Sequence, residues 1–199
     1  GKGIDIDKIC WERKKKNWRK KINIIAPSSW MAENAMNSNL MREWPVKIIP
    51  NTLPLNLYKP LNKSTARNLF NIQKEEVIIL FGAIGGNIDP RKGWDLLEKS
   101  ISNLQDIKNI RIIIFGQSKP KKELNLSIHV TFLGKFYDDF SLVMLYSAAD
   151  VMVVPSRMEN LPQSATEAQS CGLPVVAFDC TGFKDIIQHK QTGYLAKAY

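Results

Sequence analysis

Two acidic residues, Glu159 and Glu167, are the side chains in this sequence whose type and spacing most clearly suit chemistry. Seven residues separate them, among them Pro162, which suits the first turn of a helix. The apolar run at 151–154 predicts a strand just upstream. Carboxylates accept hydrogen bonds from hydroxyl groups, and a helix N-terminus attracts anions. The pattern favours a ligand that carries both sugar hydroxyls and phosphates, although the spacing alone fits two structural acids equally well.

The elements that must position these acids form a regular series from residue 76 onward. Apolar runs predict strands at 77–81, 110–115, 129–132, 151–154, 175–178 and 193–196. The intervening segments predict helices at 94–104, 138–148, 162–171 and 183–188. Because the strands are continuously apolar, both faces of their sheet should be covered. The series therefore predicts an α/β fold with a doubly wound, parallel, Rossmann-like sheet, and such sheets bind ligands at the carboxyl ends of their strands.

A glycine-rich loop after the first of these strands is a candidate phosphate site. It contains Gly85 and Gly86, whose backbone can approach a ligand closely, and Arg91 and Lys92 stand at the entry to the next helix. Cations beside a helix N-terminus bind anions. The glycine spacing fits neither a Walker A loop nor a G-x-G-x-x-G fingerprint, so an ordinary turn is the alternative. The loop gains weight because it should open on the same sheet edge as the Glu159 loop.

Two more strand ends offer candidates for holding the base of a nucleotide. Gln117 and Ser118 follow the second predicted strand, and Lys135 and Phe136 follow the third. A small polar residue and an aromatic ring suit a flat base, while ordinary loop composition explains each residue equally well.

Composition excludes several other classes of protein. Hydrophobic residues make up 44% of the chain, and no apolar run approaches the ~18 residues of a membrane-spanning helix. Cys10, Cys171 and Cys180 lack disulfide or zinc spacing, which indicates reduced thiols of the cytosol. His129 and His189 lie far apart in the sequence, which argues against a histidine metal site. We therefore expect a cytoplasmic protein with one substantial domain and an extension.

The net charge of +9 is concentrated at the N-terminal end of the sequence. Residues 1–21 hold nine Lys and Arg against three acidic residues. Their net charge of +6 is two thirds of the net charge of the whole chain. Trp11 and Trp18 lie at the edges of the basic run. A solvated helix or linker is the favoured interpretation, contact with an anionic membrane face through residues 11–21 comes next, and nucleic-acid binding is least favoured.

The residues around the two glutamates carry a resemblance to a known family. The stretch P-S-R-M-E-N-L-P-Q-S-A-T-E-A at 155–168, followed by C-G-L-P-V-V-A-F at 171–178, strongly resembles glycosyltransferase family 4. Further matching segments lie at 26–30, 46–51, 91–93, 181–187 and 192–195. The resemblance implies a retaining, nucleotide-sugar-dependent enzyme of the GT-B fold. It also implies that 1–58 holds the basic segment, the tail of an acceptor-binding domain and the connector, and that 59–199 is the donor-binding domain without its last helices.

The resemblance implies roles for individual residues. Glu167 should bind the ribose hydroxyls of the donor nucleotide, Glu159 the donor sugar and Lys92 the diphosphate, so that Glu159 and Lys92 serve catalysis. Backbone groups near the start of the following helix should help to hold sugar and phosphate, around Asn160, Leu161 and Pro162. A UDP- or GDP-sugar is then the substrate. No cofactor or metal is implied, because lysine, arginine and helix dipoles stabilise the departing diphosphate.

The implied function is transfer of a hexose or related sugar to a glycan or lipid-linked acceptor, in surface polysaccharide biosynthesis. Two alternatives stay open, namely an epimerase of the same fold that acts on nucleotide-sugars, and a basic interaction module that binds anionic lipid or nucleic acid. Ala83 stands where many family members have arginine, and Arg91 is a candidate to supply that charge. Since the acceptor-binding domain would precede Gly1, the chain alone is expected to bind nucleotide poorly and to transfer little or nothing.

Overall fold

The computed structural model describes residues 4–82, 89–104, 107–119 and 128–198. The chain forms two compact units, Gly1–Asn51 and Thr52–Tyr199. Their boundary lies inside the segment 1–58, and the assignment of that segment to a preceding domain and its connector stays a prediction.

The first unit contains a small parallel sheet. Strands β1 (Ile24–Ala26) and β2 (Val46–Ile48) pair in parallel, and the chain between them contains a helix, Ser29–Met36. The Ser28 hydroxyl accepts a hydrogen bond from the Met31 N–H at 3.1 Å. This bond satisfies one of the N–H groups that the start of a helix leaves without a helical partner.

The basic segment forms helix α1 (Ile6–Asn17), and Ser29–Met36 is accordingly α2. The Asp5 carboxylate caps α1 by accepting from the Lys8 N–H at 2.9 Å, and none of the helix residues is buried. The basic run therefore begins in this exposed helix and continues as exposed chain to Lys21, in line with the favoured interpretation of a solvated helix or linker. In the described parts of the chain, every helix is too short or too polar to cross a membrane.

The second unit is a parallel sheet with helices between its strands. The strands are β3 (Val77–Gly82), β4 (Ile110–Phe115), β5 (His129–Gly134), β6 (Val151–Val154), β7 (Val175–Phe178) and β8 (Gly193–Ala196). They pair in parallel in the order β5-β4-β3-β6-β7-β8. The helices are α3 (Lys63–Leu69), α4 (Trp94–Ile101), α5 (Asp139–Ala148) and α6 (Gln163–Ser170). Short 3-10 helices lie at Pro90–Lys92, Ser102–Leu104 and Thr181–Asp185.

Both faces of the sheet are covered, which explains the continuously apolar strands. Ile78 and Leu80 of β3 point to one face and pack in a core with α3, α5 and α6. Ile79 and Phe81 of the same strand point to the other face, where they pack with Leu97 of α4. These β3 side chains are at most 9% exposed, and each such burial stabilises the fold by roughly 1.5–3 kcal/mol. The predicted α/β fold with a doubly wound parallel sheet is confirmed.

Two predicted helices differ from the observed elements. The helix predicted at 94–104 ends as an α-helix at Ile101 and continues as a 3-10 turn. The helix predicted at 183–188 is instead the 3-10 helix Thr181–Asp185. A Cβ on Gly182 would lie 1.4 Å from the carbonyl oxygen of Asn160, so this segment is placed by close backbone packing rather than by helical periodicity.

The strand order creates a crevice at one place on the sheet. The chain runs outward from β3 through β4 to β5, and then returns to β6 on the other side of β3. The chain after β3 leads to one side of the sheet and the chain after β6 leads to the other, so the strand order places a crevice at the carboxyl ends of these two strands, beside the loops that follow them. These two loops carry Lys92 and Glu159.

Candidate functional site

A pocket of about 390 Å³ opens at the carboxyl ends of β3, β4 and β6. Its walls come from these strand ends, from α5 and from α6 with the loop before it. A volume of this size suits a small-molecule ligand. The polar side chains that line the pocket are Lys92, Tyr146, Ser156, Glu159, Gln163, Ser164 and Glu167. The three charged residues singled out from the sequence are thus in one place.

Lys92 and Glu159 meet across the crevice. The Lys92 ammonium donates to a Glu159 carboxylate oxygen at 2.6 Å, from Nζ to Oε1. The two side chains are 30% and 16% exposed, so water screens this pair less than it screens a pair at the surface. Residues that lie 67 apart in the sequence therefore form one charged element of the pocket.

A tight turn between strand and helix positions Lys92. Asp89 caps the short 3-10 helix that ends at Lys92 by accepting from the Arg91 N–H at 2.9 Å. Gly93 then takes a left-handed φ of 68°, and a Cβ there would lie 2.0 Å from the carbonyl oxygen of Pro155. Gly93, at the helix end of the loop after β3, therefore packs directly on Pro155 in the loop after β6, a backbone approach that only glycine allows.

Arg157 is a residue that the sequence did not mark as part of the site. Its guanidinium donates to both carboxylate oxygens of Asp95 in α4, at 2.8 and 2.6 Å, and to the Pro90 carbonyl at 2.7 Å. Its backbone N–H donates to the Arg91 carbonyl at 2.8 Å. The Arg157 guanidinium holds the pKa of the Asp95 carboxyl below its usual range. Arg157 thus links the two loops. The sequence feature that could have indicated its role is its position in the stretch 155–168, which resembles the family.

The Glu159 loop is held by the segment that follows β7. The Gly182 N–H donates to the Glu159 carbonyl at 3.0 Å, and the Glu159 N–H donates to the Thr181 hydroxyl at 3.3 Å. Pro162 precedes α6 without a side-chain capping bond, and the first residues of α6 line the pocket. The positive end of the helix dipole therefore lies at the pocket, where it can receive an anion.

Glu167 lies inside α6, where a buried tyrosine orients it. The Tyr146 hydroxyl donates to Glu167 Oε2 at 2.8 Å. Tyr146 is 1% exposed, and its ring meets the Phe115 ring edge-on at 5.9 Å between centroids. The surroundings of Tyr146 in α5 are mostly apolar, so the sequence pattern indicated only core packing. A phenol hydroxyl in an apolar stretch was the available signal, since such a group needs a partner when buried.

Burial perturbs the titratable groups around Glu167. Burial raises the pKa of Glu167, the Asp139 carboxylate adds to this effect, and the Tyr146 hydroxyl opposes it by donating to the ionised form. Burial and the Glu167 charge also raise the pKa of Tyr146 and of Tyr58. The same two causes raise the pKa of Cys171 to about 11. Tyr146 therefore stays a hydrogen-bond donor to Glu167 at neutral pH.

Replacing Glu167 with glutamine is expected to stabilise the fold at neutral pH. A carboxyl whose pKa is raised on folding contributes stability below its unfolded pKa and loses it as pH rises through the folded pKa. Ionised Glu167 therefore weakens the fold at neutral pH, while the amide oxygen of glutamine can still accept from Tyr146. Urea unfolding should show a larger free energy of unfolding for Glu167→Gln than for the wild type at neutral pH. The variant should show no such gain below pH 4.5, the ordinary pKa of a glutamate side chain. A gain of the same size at both pH values would contradict a raised pKa for Glu167.

The pocket brings together some of the predicted site residues but not all. Its described lining includes Lys92, Glu159, Leu161, Pro162 and Glu167, and does not include Arg91, Gln117, Ser118, Lys135, Phe136 or Asn160. Gly85 and Gly86 lie outside the described residues. The Arg91 guanidinium pairs with Asp89 on the surface, at 2.8 Å from Nη2 to Oδ2.

The residues expected near a base lie farther out on the sheet. Gln117 is 6% exposed and forms an isolated β-bridge with Gly134. The Phe136 ring packs edge-on against the rings of Phe70 and Phe115, each at 6.4 Å between centroids. Phe136 lies outside the pocket lining and packs against Phe115, which lines it, and the roles of these residues toward a base stay predictions.

The fold, a six-stranded parallel sheet with helices on both faces, matches solved glycosyltransferases of the GT-B type. Residues 62–199 match the family described as glycosyl transferases group 1, which covers more than half of the chain. The chain belongs to this family. The narrower assignment to glycosyltransferase family 4 and the retaining mechanism stay predictions.

Similar proteins support the family at the level of sequence and fold. The D-inositol 3-phosphate glycosyltransferase of Mycobacteroides abscessus is 30% identical over 166 residues, which cover 77% of this chain and 36% of that protein. Sucrose-phosphate synthase from Thermosynechococcus elongatus superimposes with a TM-score of 0.77 at 27% identity, over 96% of this chain and 49% of that one. Anabaena HepE, solved in complex with UDP-glucose, shares the fold with a TM-score of 0.74 at 22% identity, over 96% of this chain and 53% of that one. The chain thus spans about a third of the first protein and about half of each of the other two.

Proposed function

We propose that this chain binds the donor in a retaining glycosyltransferase of family 4, which transfers a hexose or related sugar from a UDP- or GDP-sugar to a glycan or lipid-linked acceptor. The observation that carries the proposal is the convergence of Lys92, Glu159, Glu167 and the start of α6 on one pocket. A cation and a helix end suit a diphosphate, and carboxylates suit sugar hydroxyls. The UDP-glucose bound by HepE supports the same class of ligand.

Each charged group has a place along such a donor. Lys92 and the positive end of α6 hold the diphosphate. Glu159, which lies next to Lys92, accepts hydrogen bonds from hydroxyls of the donor sugar. Glu167, oriented by Tyr146, accepts from the ribose hydroxyls. The donor therefore lies along the strand ends, with its sugar near the Lys92–Glu159 pair.

Transfer with retention places bond formation and bond cleavage on one face of the sugar. The bond between the anomeric carbon and the diphosphate oxygen breaks, the acceptor oxygen bonds to that carbon, and the departing diphosphate takes the acceptor proton. Negative charge grows on the diphosphate as its bond breaks, and Lys92 and the α6 dipole stabilise that charge. We propose that no metal ion is needed, because the lysine and the helix end supply the positive charge.

Ligand binding tests the proposed donor site directly. Calorimetric titration of the chain with up to millimolar UDP, GDP and ADP is expected to show weak but saturable binding of UDP or GDP, and of the matching nucleotide-sugar, as for a donor domain alone. A chain that binds none of these nucleotides overturns the proposal. In the full-length enzyme that contains this domain, release of free epimerised sugar without an acceptor would show the epimerase alternative, and a product of inverted anomeric configuration by NMR would overturn retention.

We also propose that the protein works in the cytoplasm, at the inner membrane face, in surface polysaccharide synthesis. Helix α1 supports the membrane contact, because it is exposed and carries Lys14, Lys15 and Lys16 in its last turn. The Lys15 ammonium lies 4.8 Å from the centre of the Trp11 ring. Clusters of lysine and arginine are attracted electrostatically to anionic lipid surfaces, and tryptophan suits the interface between lipid and water.

Vesicle sedimentation tests the membrane contact. The chain is expected to sediment with phosphatidylglycerol vesicles at low salt, to leave them as salt screens the charges, and to ignore phosphatidylcholine vesicles. Deletion of residues 11–21 should abolish the binding. Salt-sensitive retention of nucleic acid, with no vesicle binding, would favour the interaction-module alternative.

A further inference from the structure

Lys92 and Glu159 are bonded to each other, although the proposed function gives each of them a different part of the donor. Their contact is 2.6 Å long, and both side chains are mostly shielded from water. Taking one charge out of a shielded pair leaves the other poorly compensated. A ligand that draws Lys92 away must therefore also supply hydrogen bonds or positive charge to the Glu159 carboxylate.

The neighbouring arginines form ion pairs with other acidic residues. The Arg91 guanidinium bonds to Asp89, which raises the pKa of Arg91 more than the nearby Glu159 does. The Arg157 guanidinium bonds to both carboxylate oxygens of Asp95. Within the described residues, the Lys92 ammonium is the cation whose hydrogen bond to the Glu159 carboxylate is seen directly.

Donor and product differ in charge at the place where this pair lies. In a nucleotide-sugar the terminal phosphate is esterified, so it carries a single negative charge and has sugar hydroxyls beside it. In a free nucleoside diphosphate the same phosphate gains most of a second charge at neutral pH, because its second pKa is about 6. The intact donor can offer hydroxyl hydrogen bonds to Glu159 in place of Lys92. The free diphosphate offers no hydroxyl and adds repulsion.

We propose that the Lys92–Glu159 ion pair makes the pocket select an intact nucleotide-sugar over the free nucleoside diphosphate. The inference rests on the proposed function, in which Lys92 binds the diphosphate and Glu159 binds the sugar. Glu159 then has a second effect besides holding the sugar, because its charge opposes retention of the spent nucleotide. Selection of this kind favours product release and limits product inhibition.

The test compares two ligands on wild type and Glu159→Gln. Calorimetry is performed on the chain with UDP and UDP-glucose, and with GDP and GDP-mannose as the second pair. The variant is expected to bind the free diphosphate about fivefold more tightly than the wild type does, which is typical of removing one like charge. It is expected to bind the nucleotide-sugar no more tightly, because the amide is a weaker acceptor for the sugar hydroxyls. The preference for the donor should therefore fall by about fivefold or more.

Matched variants make the outcome specific. Glu75→Gln removes an exposed carboxylate just before β3, at the opposite end of the strand, and should leave the preference unchanged. Lys92→Gln should weaken both ligands, and the free diphosphate more, because Glu159 then lacks its cation. Thermal unfolding of each variant confirms that the fold is retained.

Two results would overturn the inference by different routes. If Glu159→Gln binds the free diphosphate no more tightly than the wild type, or if both affinities change by the same factor, the ion pair does not select. If the wild type binds neither nucleoside diphosphate nor nucleotide-sugar, the proposed function fails and takes this inference with it.

Discussion

Binding of a nucleoside diphosphate is expected to weaken by about tenfold or more when Glu167 is replaced by alanine. The carboxylate accepts hydrogen bonds from two ribose hydroxyls in the proposed complex, and a hydrogen bond to a charged group contributes about 1.5–3 kcal/mol. The substitution also leaves the buried Tyr146 hydroxyl without its acceptor at 2.8 Å. Calorimetric titration of wild type and variant with UDP or GDP measures the loss.

Two further variants separate the role of Glu167 from general effects of charge or stability. Glu75→Ala removes an exposed acid at the amino end of β3 and should leave the affinity unchanged. Glu167→Gln should also weaken binding, even though it is expected to strengthen the fold at neutral pH. A Glu167→Ala variant with wild-type affinity would exclude Glu167 from the nucleotide site.

The largest loss of stability is expected when Gly182 is replaced by alanine. The new Cβ would lie 1.4 Å from the carbonyl oxygen of Asn160 and 3.2 Å from that of Glu159. Because backbone atoms cannot turn aside as a flexible side chain can, one of the two segments must shift. The hydrogen bond from the Gly182 N–H to the Glu159 carbonyl is then lost. Urea unfolding should show a decrease of about 3 kcal/mol or more in the free energy of unfolding.

Gly134 offers a matched control for this substitution. It has a left-handed φ of 72°, and a Cβ there would have no heavy atom within 4 Å. Gly134→Ala should therefore show only the conformational penalty of about 1–2 kcal/mol. Since the Glu159 loop is displaced in the Gly182 variant alone, that variant should also bind nucleotide more weakly than Gly134→Ala does. Equal losses of stability would show that the contact with Asn160 does not place this loop.

The strands could be predicted because their signal is local. A continuous apolar run such as Ile110–Phe115 is stable in a sheet only when both of its faces are covered, and helices alternate with these runs along the chain. The carboxyl ends of parallel strands share one edge, so Lys92 and Glu159 could be assigned to the same side of the molecule. The 3-10 helix at Thr181–Asp185 could not be predicted, since a distant backbone contact determines it.

Strand order decided which of the residues at that edge line the pocket. Phe136 follows β5, which is the outer strand and lies two positions from β3. Its ring therefore packs against Phe70 and Phe115, while Lys92 and Glu159 follow the two strands between which the crevice opens. Local pattern carries no information on strand order, so the sequence could not show which of these strand ends border the pocket.

The sequence by itself determined the order of strands and helices, the sheet edge that carries the site, and the chemical character of Glu159, Glu167 and Lys92. Only the tertiary structure decided their partners, because these contacts join residues that are far apart in the chain. Lys92 reaches Glu159 across 67 residues, and Tyr146 reaches Glu167 across 21. Periodicity and turn chemistry depend on neighbouring residues. A contact between loops depends on strand order and on how helices pack across the sheet, which no short segment encodes.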